Sequence, residues 1–283
     1  MGYIEERNPF FSVRRETLKT DSGIILDKEA LINDDTDDVL GIVSPGYELV
    51  TNSDIDEMFN EAMTAFEVKE VQDHMDAETK RWKRRVIFGD DRLTSEVLPG
   101  DATGVMLEIH NGYNGKTAFG YELMGYRWAC TNGMVMGKSS LFKESFAHFV
   151  NNPERLRNSF EMKFDAFHKN TEIWKDWSKI PMDKRLFENF VNGHTKSDDG
   201  TKAKKHQYLG VKVAKSIIDS YEPLLIEQKL DNTMWGAFNV LTYLSTHVAK
   251  ARKGSNVFSQ RHKTLNRLAT DLYGINTGAL VVV

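Results

Sequence analysis

The chain has 283 residues, 37 Lys and Arg against 41 Asp and Glu, a formal net charge of -4, 40% hydrophobic and 11% aromatic residues. That balance excludes global disorder and fits one large domain or two modest ones with a sizeable core. No apolar run nears the roughly 18–20 residues of a bilayer span, the first fifteen residues lack a signal-peptide core, and the single Cys130 excludes an internal disulfide. The expectation is a cytoplasmic, reduced protein with no membrane partner.

In chain order, residues 39–44 (VLGIVS) are short, apolar and β-branched, Pro45-Gly46 signals a turn, and 47–51 (YELVT) alternates again. Asn52 or Ser53 fits an N-cap, with Asp54, Asp56 and Glu57 in the first turn. Ile55, Met58, Phe59, Ala62, Met63 and Phe66 recur at helical spacing, which predicts an amphipathic helix over 53–66. Residues 80–88, 104–110 and 117–128 read as strands separated by Gly- and Asn-bearing turns. Short turns favour antiparallel pairing.

From about residue 140 the period changes. Residues 141–150, 153–177, 182–192, 207–229, 233–251 and 259–272 fit helices, with Pro223 expected to kink or end the fourth of these near Glu222. The polar stretch 192–205 reads as a loop or linker. The apolar tail 278–283 (GALVVV) is compatible with a paired strand, a docked segment or a frayed end. The fold class expected is α+β: an antiparallel sheet with a packed helix in residues 1–137, then a mainly helical region in 138–283 that could belong to the same body.

Charge is segregated. Residues 196–267 carry 13 basic and 6 acidic side chains, a net charge of +7 that leaves -11 elsewhere. A second basic patch, Lys80, Arg81, Lys83, Arg84 and Arg85, surrounds Trp82. Arg and Lys neutralise phosphates, and an aromatic neighbour can stack an unpaired base; an edge strand guarded by charge would look the same. Near the C-terminus Lys250, Arg252, Lys253, Arg261, Lys263 and Arg267 form a comparable set, although two solvated helix ends would also carry such residues. Tyr126 and Trp128 are further stacking candidates.

Glu108, His110 and Glu122 are the candidate metal ligands, since Glu108 and His110 share a strand face and a neighbouring strand could bring Glu122 close. The polar face of an ordinary strand carries the same residue types. No Walker loop, dinucleotide fingerprint, nucleophile elbow or HExxH occurs, and no cofactor is implied. Cys130 reads as a structural thiol and His247, on an apolar helix, as a core histidine.

Four patches carry a resemblance: Tyr47, Val50 and Asn52; Asn111, Gly112, Asn114 and Gly115; Arg127, Cys130, Asn132 and Gly133; and residues 235–258. In these the chain resembles a phage and plasmid family of unknown function that includes the YafZ/YfjQ-type prophage proteins. The resemblance implies a mobile-element protein and, at one further remove, a relative of the single-strand annealing recombinases, which join a hairpin-rich sheet to helices and form rings or filaments. It supplies no catalytic residue. In physical terms Asn132-Gly133 fits a tight turn. Arg127 at the strand end could either grip a phosphate or satisfy the turn's carbonyls.

The leading expectation is therefore a non-catalytic protein that binds and anneals single-stranded DNA as a homo-oligomer. Its site would comprise the residues of 80–85, Arg127, Trp128 and the C-terminal cations. The alternatives are a metal-dependent nuclease using Glu108, His110 and Glu122, and a virion or host-interaction protein using the tail 280–283 and the acidic stretch 33–38.

Overall fold

A computed structural model describes residues 8–76, 80–115, 119–129, 132–134, 153–193, 195–196, 209–248, 260–276 and 281–282. The architecture is α+β, as expected, with strands concentrated in the N-terminal half and helices in the C-terminal half. The chain forms two compact units. The first comprises Met1–Gly89, Leu107–Glu122 and Phe142–Glu161, and the second Asp90–Met106, Leu123–Leu141 and Met162–Val283.

The first unit opens with a three-stranded antiparallel meander: β1 (Val13–Lys19), β2 (Ile25–Asn33) and β3 (Val39–Val43). Leu31, Leu40 and Val43 bury one face of it together with Tyr113. A Cβ at Gly41 would lie 2.2 Å from the Tyr113 carbonyl oxygen, so only glycine lets β3 approach that backbone. Residues 47–51, expected as a strand, have no strand pairing; they lead into α1 (Asn52–Met63). The N-cap is Thr51, one residue before Asn52 and two before Ser53. Thr51 accepts from the Asp54 amide while the Asp54 carboxylate accepts from the Thr51 amide, a reciprocal capping box. Ile55, Phe59 and Ala62 are wholly buried, and the Phe59 ring meets Tyr121 edge-on at 5.4 Å.

Next comes a hairpin that the sequence pattern half concealed: β4 (Val68–Asp76) and β5 (Arg81–Phe88). β5 was expected; β4, VKEVQDHMD, is too polar to alternate visibly. The chain continues through β6 (Ser95–Leu98), β7 (Asp101–Gly112), β8 (Gly120–Arg127) and β9 (Asn132–Met134). The larger sheet has the order β4-β5-β7-β8-β9, with β6 paired to β7.

The helices of the second half are α2 (Pro153–Trp177) and α3 (Lys184–Val191), followed after the short strand β10 (Thr195–Lys196) by α4 (Val211–Asp219), α5 (Tyr221–Glu227), α6 (Met234–Tyr243) and α7 (Gln260–Asn276). Strand β11 (Val281–Val282) pairs antiparallel with β10, which decides the fate of the tail. The predicted helix over 207–229 is two helices, broken at Ser220. Pro223 sits in the first turn of α5, where a missing N–H costs no intrahelical bond. α6 ends in a π-helical turn, Leu244–Val248. The core of the second unit is aromatic: Trp174, Trp177, Trp235 and Phe238 are wholly buried, and Trp174 donates to the Tyr273 hydroxyl at 2.9 Å. The predicted helix 141–150 and Cys130 lie outside the described residues.

Candidate nucleic-acid interface

Strand β5 distributes its charges by the strand's period of two. Trp82 and Arg84 take the face covered by α1, and Arg81, Lys83 and Arg85 take the opposite face. Trp82 is wholly buried, with its indole N–H on Asp73 Oδ1 at 2.7 Å. Arg84 is 7% exposed. Its guanidinium grips both oxygens of Asp73 at 2.9 Å and also reaches Asp56 of α1. On the other face, Lys83 Nζ and Arg85 Nε converge on Glu108 Oε2 at 2.6 and 2.9 Å. Arg81 is half-buried, and its Nε has no hydrogen-bond partner among the described residues. Lys80, in the turn with a φ of +54°, lies 3.9 Å from Asp38.

These placements correct the stacking expectation for this strand. A base cannot stack on Trp82, and Tyr126, 5% exposed, offers no open ring face either. Trp128 is half-buried against Tyr126. Lys83, Arg84 and Arg85 of β5 are spent on Asp73, Asp56 and Glu108, because β4, α1 and β7 bring carboxylates to them. The signal that could have found this is the register of β4, which sets Asp73 directly opposite Arg84.

Burial alone would raise the Glu108 carboxyl, but Lys83 and Arg85 outweigh it and hold the group below the ordinary carboxylate range. Burial likewise pulls the Lys83 ammonium down, against the attraction of Glu108. Glu122 adds its field at Lys83, and His110 packs over Gly120, where a Cβ would lie 2.7 Å from the imidazole. Glu108 therefore serves two cationic side chains. Among the described residues no group of three or more His, Cys, Asp or Glu is arranged to hold a metal ion.

Arg127 belongs to the second unit and is 3% exposed. Its Nε donates to Asp101 Oδ1 at 2.6 Å, and its terminal nitrogens reach the Gln228 side-chain and backbone oxygens at 3.4 and 3.5 Å. The Trp235 indole donates to the other Asp101 oxygen at 2.9 Å. Of the two readings of Arg127, the structural one holds: the residue is buried on a carboxylate and is not presented to a phosphate.

Of the C-terminal cations, Arg261, Lys263 and Arg267 lie on α7 and Arg267 is exposed. Lys250, Arg252 and Lys253 fall outside the described residues. Elsewhere in the basic stretch Lys212, Lys215 and Lys229 are exposed. Lys215 pairs with Asp219 at 3.2 Å on the solvent side of α4, while Lys212 and Lys229 form no ion pair among the described residues. His247, expected in the core, is exposed on the π-helical turn, with the Tyr243 ring at 4.6 Å.

Two of the sequence patches meet in the first unit. The Asn111 amide donates to the Val50 carbonyl at 3.1 Å and to the Asn52 side-chain oxygen at 3.0 Å. The Asn52 backbone N–H donates to the Tyr113 hydroxyl at 2.7 Å, and the Asn52 side chain donates to the Pro9 carbonyl at 2.8 Å. In the second unit Asp101 joins Arg127 to Trp235, and so joins the other two patches. Residues 39–269 match the domain of unknown function DUF932. The chain belongs to that family. No curated protein and no solved structure matches it. In this DUF932 chain Asn52, Asn111, Asp101 and Arg127 are thus buried polar residues whose hydrogen bonds tie strand ends to the start of α1 and to α6.

Proposed function

We propose that this DUF932 protein binds and anneals single-stranded DNA without catalysis, acts as a homo-oligomer, and belongs to a mobile genetic element. The observation that carries the reading is the segregation of charge. The stretch 196–267 has a net charge of +7 in a chain of -4, and Lys212, Lys229 and Arg267 within it are exposed. Exposed cations on one part of an otherwise acidic chain are what phosphate binding requires. Annealing then needs only the neutralisation of many phosphates, so that two strands can approach, and a repeated subunit multiplies that effect. In this reading β5 is mainly scaffold, because Lys83, Arg84 and Arg85 already hold carboxylates.

The test is fluorescence anisotropy of a labelled oligonucleotide with the full chain. Binding is expected at about 50 mM salt and steep weakening by about 200 mM. The triple charge reversal Lys212→Glu/Lys229→Glu/Arg267→Glu should weaken binding strongly, and Arg81→Ala should leave it nearly unchanged. Absence of binding at the lower salt overturns the reading. A protein-contact role has its own support in the meander, where Ile25, Val39 and Ile42 are 65%, 57% and 58% exposed. Assembly without any affinity for nucleic acid would favour that role.

A further inference from the structure

We propose that β4 is the seam of a symmetric dimer, in which it pairs antiparallel with β4 of a second copy of this chain. Among the described residues its strand partner is β5 alone, so its other side is a sheet edge nine residues long. Such an edge presents a row of backbone donors and acceptors to any matching strand. Residues 68–72 and His74 are exposed, and Val71 is 47% exposed.

The register of β4 on β5 assigns the side chains to faces. Gln72 and His74 stand opposite Arg85 and Lys83, whereas Val71, Asp73 and Met75 stand opposite Val86, Arg84 and Trp82. A two-fold axis through Gln72 keeps both faces continuous. It sets Glu70 opposite the second copy's own His74 twice, Gln72 opposite itself, and Val71 opposite Asp73. An imidazole N–H can donate to a carboxylate and two amides can pair, so each polar contact is complementary. No like charges meet.

The neighbouring registers are worse. An axis through Asp73 sets that aspartate against itself and Glu70 against Asp76. An axis through Val71 needs Lys69 in regular pairing, but the register on β5 slips between Val68 and Glu70. Natural edges are commonly guarded by charges that repel a second strand. Here the residues set directly opposite one another about Gln72 are hydrogen-bonding partners, Glu70 with His74 and Gln72 with Gln72, so this register does not repel a second copy by like charges face to face. The inference deepens the homo-oligomer part of the proposed function by naming its seam, and it does not depend on the DNA-binding part.

Sedimentation velocity of the full chain without nucleic acid, over a concentration series, tests it. Monomer–dimer exchange is expected. His74→Glu should raise the dissociation constant roughly tenfold, since like charges directly opposite on paired strands repel. The swap Glu70→His/His74→Glu should restore it. Gln72→Cys in a Cys130→Ser background should oxidise to a covalent dimer, because position 72 meets itself on the axis. A chain monomeric at every concentration, or a dimer indifferent to His74→Glu and not trapped by Gln72→Cys, overturns the proposal. Either result leaves the DNA measurement free to succeed or fail by itself.

Discussion

Asp101 is 7% exposed and accepts from both Arg127 and Trp235. A carboxylate so removed from water survives only because a cation and a donor replace its hydration. Arg127→Met should therefore cost about 3–5 kcal/mol, the range for removing one partner of a buried pair. The double variant Arg127→Met/Asp101→Leu should recover part of that, since it removes the stranded charge as well. Urea unfolding of both variants and of Asp101→Leu alone closes the cycle, and losses that simply add would show that the pair is not coupled. Glu108 gives a pH signature. Its folded-state pKa is depressed by Lys83 and Arg85, so its stabilisation is present above the unfolded carboxylate pKa and fades as pH falls through the depressed value. Thermal melts from neutral to acid pH should show Glu108→Gln less stable than the native chain at pH 7, with the gap narrowing in acid. A gap that stays constant would mean that Glu108 is not held as a carboxylate.

At the scale of elements, α1 was visible because its apolar spacing and its acidic first turn agree. Its start lies one residue before the predicted one because Asn52, a good cap by type, is committed to Tyr113 and Pro9, and Thr51 caps instead. Thr51→Ala should cost about 1 kcal/mol, the usual value of a lost cap, read as a shift of the denaturation midpoint with unchanged slope. Strands β1 and β4 leave no strand pattern in the sequence for a common reason. VRRETLK and VKEVQDHMD face solvent along most of their length, so neither shows the apolar alternation that betrays a half-buried strand. The interruption expected of Pro223 falls at Ser220, and Pro223 itself lies within the first turn of α5.

Over the whole molecule the large pattern of charge survives folding as a count but not as a map. The +7 of residues 196–267 is a property of composition, and if the DNA reading holds, reversing Lys212, Lys229 and Arg267 should flatten the salt dependence by about 2 in the log–log slope for single strands. The basic run 80–85 is equally conspicuous, yet folding spends Lys83, Arg84 and Arg85 on carboxylates. The sequence by itself determined the α+β class, the change from strands to helices, the position of α1, α2 and α7, and the charge asymmetry, because period and composition are local quantities. Only the tertiary structure decided that Arg84, Lys83, Arg85 and Arg127 are neutralised, that Trp82 is interior, and that the tail pairs with β10. Each of those depends on which distant carboxylate or strand arrives alongside, and that is set by packing across the sheet, not by neighbours along the chain.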